Sequence, residues 1–268
     1  MTTPFSHRKS LGQNFLHNQE VIRRSVEAGK LVQNDVVLEI GPGQGALTRL
    51  LLESPCSFVH AVEIDRRLEP WLIPLEAQNS GRLCVHWQDS LECDLSSLSP
   101  QPNKVLANIP YNITTDLLWK ILSELAPLKL ETVVLLIQKE AAERLRAAPC
   151  TKQRGPLGVT LEMMGTVSPV MNVAPGSFSP PPKVWSEVIL IQLAQNCTLA
   201  NERSWRRLIS TSFAQRRKKL INNLRRLTIS ESLILSLFSK HCIDPNTRAE
   251  ELTREQWQAL YTSLKEQI

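Results

Sequence analysis

The stretch 36-VVLEIGPGQGALTRLLLE-53 constrains the fold more than any other part of the chain. Residues 36–40 form a short apolar run bounded by Asp35 and by the glycines that follow, the pattern of a buried strand. Gly41, Gly43 and Gly45 then make a turn that opens into an amphipathic helix. The pattern recurs downstream: 58-FVHAVEI-64 as strand, 66–78 as a helix interrupted by Pro70 and Pro74, 83-LCVHW-87 and 104-KVLAN-108 as strands, 114–125 as helix and 132-TVVLLIQ-138 as strand. Strands alternating with helices point to an α/β fold, a parallel sheet with helices on both faces.

After a helix at 139–147 the texture changes. The segment 149-PCTKQRGPLG-158 reads as an exposed loop, and 159–173 and 184–193 read as two more strands joined by the proline-dense 174-APGSFSPPPK-183. A polar stretch at 194–201 marks a domain boundary, and everything beyond it reads as helix. The expected division is therefore 1–194 for the α/β domain and 195–268 for a small all-helical domain. In 213-FAQRRKKLINNL-224, Phe213, Leu220, Ile221 and Leu224 fall on one helical face while Arg216, Lys218 and Lys219 point elsewhere.

Charge is distributed unevenly. Between Glu202 and Arg226 stand nine cations and one acid, a net +8, so with a formal charge of +5 for the whole chain the remainder sums to −3. A local concentration of this kind suits a docking face for a polyanion, with cations meeting phosphates without reading bases. The six cysteines are scattered, with no C-x-x-C pair and no cluster at metal-ligand spacing, which points away from a disulfide framework or a metal site. No apolar run reaches the 18 residues of a membrane span, and MTTPFSHRKSLGQNFL lacks the apolar core of a signal peptide, so a cytoplasmic protein is expected.

Candidate chemistry lies at the strand ends, where an open α/β sheet binds ligands. Gly41, Gly43 and Ala46 satisfy the loose dinucleotide pattern G-x-G-x-x-G/A. Glu63 ends the second strand, 20 residues after Gly43, placed to accept from ribose hydroxyls, and Asp89 follows the third strand, placed to accept from an adenine amine. NAD and S-adenosylmethionine both carry adenosine, so these acids leave both open. The fourth strand end discriminates: Asn108-Ile109-Pro110-Tyr111 offers no hydride-transfer machinery. The Asn108 side-chain oxygen and the Pro110 carbonyl suit a group with two N–H donors, and Tyr111 suits stacking on an extruded base. Two acceptors on the exocyclic amine of adenine would aim its lone pair at a sulfonium methyl, with catalysis resting on positioning and electrostatics.

Eight stretches carry a family likeness: 9-KSLGQNFL-16, 37-VLEIGPGQGALT-48, 61-AVEID-65, 108-NIPYNITT-115, 138-QKEAAERL-145, 178-FSPPPKVWSEV-188, 213-FAQRRKKLINNL-224 and 245-PNTRAEELT-253. Along nearly its whole length the chain resembles the small-subunit ribosomal RNA dimethyladenosine transferases, the bacterial 16S rRNA enzymes. The 23S rRNA adenine methyltransferases share the core motifs, but 178-FSPPPKVWS-186 and the basic C-terminal segment look more like the small-subunit branch.

The resemblance implies a Rossmann-like class I methyltransferase sheet with a helical C-terminal domain. It implies S-adenosylmethionine as methyl donor and, as substrate, two adjacent adenosines in a hairpin loop near the 3′ end of 16S rRNA, within an immature small ribosomal subunit. By position in the motifs, Asn14, Leu16, Gly41, Gly43, Glu63, Asp89 and Asn108 would contact the cofactor or close its pocket. Asn108, Pro110 and Tyr111 would hold the target adenine, Phe178 would stack on its other side, and Arg216, Arg217, Lys218 and Lys219 would meet RNA phosphates. A monomer is expected, with no metal and no membrane partner. Two departures stand out: Ile109 where the family more often has Leu, a volume-conserving change, and Pro156 in 154-RGPLGV-159.

Overall fold

Val36–Ile40 (β2) is buried at all five positions because parallel strands flank it on both sides: Phe58–Glu63 (β3) and Lys104–Asn108 (β5). Leu83–Trp87 (β4) extends the sheet beyond β3, and Thr132–Gln138 (β6) extends it beyond β5, both parallel. Ser186–Leu193 (β9) adds antiparallel to β6, and Gly165–Val173 (β7) forms the edge, giving the order β4-β3-β2-β5-β6-β9-β7. A separate two-stranded ribbon pairs Phe15–Leu16 (β1) antiparallel with Phe178–Ser179 (β8). The strand order reverses between β2 and β5, and such a switch point opens a crevice at the carboxyl ends of the strands.

This computed structural model describes residues 13–195 and 197–268. The chain divides into two units. The first runs to Ala142 and resumes at Val167; the second takes Glu143–Thr166 together with the chain from Cys197. A single cut near residue 194 therefore misses one feature, because residues 143–166 group with the helical unit. Residues 9–12 of the KSLGQNFL stretch lie outside the described residues.

The helices of the first unit follow from their ends. Asn18 caps Gln19–Ala28 (α1) by accepting from the backbone N–H of Glu20 and Val21. Gly45, at φ +79°, starts Ala46–Glu53 (α2). Glu69–Gln78 (α3) tolerates Pro70 in its first turn, where no N–H is needed, and continues through Pro74. Thr114–Leu125 (α4) buries Leu117, Leu118, Ile121, Leu122 and Leu125 on one stripe. At the amino end of β5, Lys104 Nζ lies 2.9 Å from Asp35 and donates to the carbonyls of Gly29 and Lys30 at 2.9 and 3.0 Å.

The second unit corrects two expectations. Residues 156–164 are Pro156–Met164 (α6), not the start of a strand; strand β7 begins only at Gly165. The run PLGVTLEMM has no clear period, and Pro156 occupies a first-turn helix position, so burial on nearly every side selects a helix. Pro156 thus initiates a helix rather than shaping a loop. The basic stretch 213–224 is likewise not one helix. Arg203–Ser212 (α7) stops at Ser212, residues 214–217 turn, and Leu220–Leu224 (α8) follows. Glu231–Lys240 (α9) and Arg254–Leu264 (α10) complete the unit. Lys139–Leu145 (α5) carries the chain from β6 toward it.

Aromatic packing builds the core of this second unit. Trp205 and Trp257, both fully buried, meet edge to face at 6.2 Å, and Phe213 stacks on Trp257 at 6.0 Å. Trp205 Nε1 donates to Thr160 Oγ1 at 3.0 Å. The buried Arg154 guanidinium donates to the carbonyls of Ala147 and Leu252 and to Glu162, at 3.0, 3.1 and 2.6 Å, so it fastens 147–154 to its surroundings.

Candidate active site

The glycine turn after β2 needs glycine for two different reasons. Gly41 sits at φ +70° with its N–H on the Val62 carbonyl at 3.0 Å, a left-handed residue joined to β3. At Gly43, φ is +59°, and a Cβ would come within 2.9 Å of the Phe15 ring. Strand β1 therefore lies directly against the turn. Gly43 N–H donates to Glu63 Oε2 at 3.2 Å, while Glu63 Oε1 accepts from Asp65 N–H at 2.8 Å. Glu63 is 6 % exposed. Burial raises its carboxyl above the ordinary range, and the two backbone donors oppose that rise. Each oxygen retains an acceptor site for a further hydroxyl.

Around this carboxylate lies a cavity of about 150 Å³ at the carboxyl ends of β2, β3, β4 and β5. Gly41, Gly43, Glu63, Asp89 and Asn108 line it together with Asn14, Ile109, Pro110 and Tyr111. The strand ends thus converge as their spacing suggested. Gln13, Ile64 and Gln88, which sequence reasoning did not single out, also line it. Ile64 is 48 % exposed, an apolar wall beside Glu63. Gln13 Nε2 donates to Asp65 Oδ2 at 2.7 Å, and the Arg67 guanidinium beside it holds the Asp65 carboxyl down at about 2. Asp89 Oδ1 accepts from Leu91 N–H at 2.8 Å, which sets its orientation.

A second cavity of about 320 Å³ shares Phe15, Gly41, Gly43 and Asn108 with the first. Leu16 and Ser179 line it, so Leu16 reaches this cavity and not the first. In its wall stands Glu39, 1 % exposed, with Oε2 lacking a hydrogen-bond partner among the described residues. Burial pushes the Glu39 carboxyl up to about 8, with Thr48 opposing and the charge of Glu63 adding to the rise.

The Asn108-Ile109-Pro110-Tyr111 turn has a defined hydrogen-bond polarity. Asn108 Nδ2 donates to the Asn14 carbonyl at 3.3 Å, which fixes the amide and leaves Oδ1 as its acceptor end. Ile109 N–H donates to the Leu136 carbonyl at 3.3 Å, and no hydrogen bond among the described residues uses the Ile109 carbonyl. The Pro110 carbonyl is already engaged: it accepts from Ile113 N–H at 3.2 Å and lies 3.4 Å from Thr114 Oγ1. Tyr111 is half-buried, its hydroxyl 2.7 Å from Ser186 Oγ on β9. Burial raises its phenol above the ordinary value, against the pull of Ser186. Ser186 lay within the quoted FSPPPKVWSEV stretch, but nothing local announced its partner 75 residues away.

Phe178 stands apart from the others. It is 3 % exposed, pairs with Leu16 across the β1–β8 ribbon, belongs to the hydrophobic core and lines neither cavity. In the second unit the basic run also divides. Arg216 Nη2 donates to the carbonyls of Lys152 and Arg154, the latter at 2.9 Å, with Glu250 at 3.7 Å. Lys219 Nζ donates to Asn246 Oδ1. The Arg217 and Lys218 side chains are exposed, with no hydrogen-bond or ion-pair partner among the described residues.

The switch-point crevice has carboxylates at two strand ends and an acceptor turn at a third. The residues fit a nucleoside: half-used Glu63 oxygens for hydroxyls, Ile64 for a flat base, and the Asp89 carboxylate at the next strand end. Together this fold and site define a class I S-adenosylmethionine-dependent methyltransferase. Residues 4–266 match the model for ribosomal RNA adenine dimethylase, and the chain belongs to that family. It is an S-adenosylmethionine-dependent rRNA adenine dimethyltransferase.

Relatives and solved structures agree. The chain is 39% identical over 266 residues to the ribosomal RNA small subunit methyltransferase A of Synechococcus sp. strain CC9311, covering 97% of this chain and 95% of that one. It is 39% identical over 254 residues to the protein of the same name from Syntrophotalea carbinolica, covering 93% and 94%. A dimethyladenosine transferase from Plasmodium falciparum superposes with a TM-score of 0.81 at 25% identity, over 94% of this chain and 98% of that one. The 23S rRNA methyltransferase ErmE does so at 0.70, also at 25% identity, over 94% and 99%. Among the described residues no helix is long and apolar enough to cross a membrane, and no cluster of potential metal ligands occurs.

Proposed function

We propose that this chain dimethylates N6 of two adjacent adenosines in the 3′-terminal hairpin loop of 16S rRNA, acting as a cytoplasmic monomer on an immature small ribosomal subunit. One observation carries the site reading. The consecutive residues Asn108 and Ile109 both line the cavity, and among the described residues neither Asn108 Oδ1 nor the Ile109 carbonyl has a hydrogen-bond partner, beside a tyrosine anchored at its hydroxyl. This revises the expected pair, since the Pro110 carbonyl closes the turn instead.

The roles follow from donor and acceptor chemistry. S-adenosylmethionine, when bound, supplies a sulfonium methyl; Glu63 receives its ribose hydroxyls and Asp89 its adenine amine. Gly41, Gly43 and Asn14 let the backbone approach closely, and Leu16 closes the neighbouring cavity wall. Asn108 Oδ1 and the Ile109 carbonyl accept the two N–H groups of the target amine, which favours a pyramidal nitrogen with its lone pair free. The bound cofactor would give up its methyl to this nitrogen and leave as a neutral thioether, with Asn108 and Ile109 holding the amine in line and its surplus proton passing to solvent. Tyr111 stacks on the purine. Phe178 supports the ribbon that carries Leu16 rather than touching the base. In the helical unit, Arg217 and Lys218 contact phosphates, while Arg216 and Lys219 hold their own unit together.

The test is to incubate the protein with labelled S-adenosylmethionine and small subunits lacking the modification, then map the label by nuclease digestion and mass spectrometry. Dimethyladenosine at two adjacent positions of the hairpin supports the reading. Label confined to large-subunit RNA overturns it.

A further inference from the structure

Of the six tryptophans, only Trp185 is exposed, at 53 %, and Val184 beside it is 44 % exposed. An indole left in water needs an explanation, because apolar surface of that size is ordinarily buried. Its position is well defined. Strand β9 runs antiparallel to β6, with Ser186 opposite Gln138, so the residue preceding β9 lies at the rim formed by the carboxyl ends of β5 and β6. Asn108 and Tyr111 stand at that same rim. Ser186, the next residue, holds the Tyr111 hydroxyl at 2.7 Å.

The backbone at Trp185 is restrained on both sides. Its carbonyl accepts from Lys139 N–H at 3.0 Å, its successor is fully buried, and three prolines, Pro180 to Pro182, precede it closely. Lys183, two residues before it, and Lys139, bonded to its carbonyl, are both exposed, and of the nearby acids Glu140 is exposed while Glu187 is buried. A stiffly held aromatic face between cations matches an unstacked nucleotide, whose base has a π-face and whose phosphate is anionic.

We propose that Trp185 is a stacking platform for the nucleotide adjacent to the target adenosine, with Lys183 and Lys139 facing its phosphates. The proposal rests on the RNA adenine methylation reading. Extruding one base leaves its neighbour without a stacking partner, and an indole at the rim replaces what is lost. Val184 and Trp185 thus extend the site beyond the single base that Tyr111 receives, and they define a specificity element for the flanking nucleotide.

The experiment uses the full chain and a hairpin RNA that the parent methylates, with RNA affinity, single-turnover rate and S-adenosylmethionine affinity measured for Trp185→Ala and Trp185→Phe. Stacking on one base is worth enough that Trp185→Ala should lower RNA affinity about tenfold. Cofactor affinity and melting temperature should not change, and Trp185→Phe should restore most of the loss. The decisive arm replaces the nucleotide on either side of the target, in turn, by an abasic residue. At one of the two positions the parent and Trp185→Ala should bind equally well. A Trp185→Ala loss that persists in full on both abasic RNAs overturns the proposal, as does unchanged RNA affinity, and self-association through Trp185 seen by sedimentation would assign the indole to a protein partner instead. Failure of the parent itself to methylate any adenosine would count against the underlying activity and is distinguishable from all of these.

Discussion

Replacing Asn108 by Ala separates the two methyl transfers. The substitution removes two interactions: Nδ2 on the Asn14 carbonyl at 3.3 Å, and Oδ1 as acceptor for the target amine. The first is long and only part-buried, so its loss costs about 1 kcal/mol of stability. The second acts in the transition state, in a preorganised site where removing one hydrogen-bonding partner costs about 10²–10³ in rate. That penalty applies in full to the first transfer, when the amine has two hydrogens and both acceptors are used. After one methyl has arrived a single N–H remains, and the Ile109 backbone carbonyl, which no side-chain substitution removes, can hold it. The second transfer should therefore fall by about tenfold or less. Single-turnover rates with unmodified RNA and with RNA carrying N6-monomethyladenosine, followed by mass spectrometry of the nucleosides, measure the two steps separately. Equal losses in both would refute the reasoning, since they would mean that Asn108 is needed whatever the number of amine hydrogens.

Three further outcomes follow from the same geometry. Glu63→Gln places an amide N–H₂ against either Gly43 N–H or Asp65 N–H; it should cost about 1–3 kcal/mol in thermal stability and weaken S-adenosylmethionine binding by calorimetry. Glu39, with its carboxyl held up at about 8 against an ordinary 4.5, is protonated in the fold, so the protein is most stable below about pH 4.5 as far as this group is concerned and loses that stability as pH rises to about 8. Glu39→Gln should be more stable than the parent by an amount that grows across this window, toward about 5 kcal/mol, and urea midpoints at several pH values would show a constant difference if the carboxyl were not buried as described. In the basic segment, joint replacement of Arg217 and Lys218 by Ala should flatten the salt dependence of RNA binding by about 0.7–0.9 log units per lost phosphate contact without lowering the melting temperature. Arg216→Ala should do the reverse, because its guanidinium holds the Lys152 and Arg154 carbonyls.

The strand ends were legible because each is a local pattern: an apolar run closed by glycine, glutamate, aspartate or asparagine. Local pattern failed where tertiary contacts choose the state. Residues 156–164 are apolar on most positions, so periodicity cannot tell a buried helix from a strand, and packing against Trp205 and Arg154 settles it. The basic run had a helical face on paper. Asn223 Nδ2 on the carbonyls of Ser212 and Gln215, at 2.7 and 3.3 Å, and Leu220 N–H on Thr247 at 2.7 Å hold it as two short pieces around a turn.

By itself, then, the sequence determined the α/β class, the glycine turn and the set of strand-end residues that converge on one cavity, because residue type and spacing carry that information along the chain. Only the tertiary structure decided how hydrogen bonds are shared out among them. It engages the Pro110 carbonyl and leaves that of Ile109 without a partner among the described residues, ties Tyr111 to Ser186, turns the Phe178 side chain of the ribbon into the core, and divides four adjacent cations into two that brace the fold and two that face solvent. Each of these depends on a partner distant in sequence or on closure of a turn, and a backbone carbonyl looks the same in every residue until the chain has folded around it.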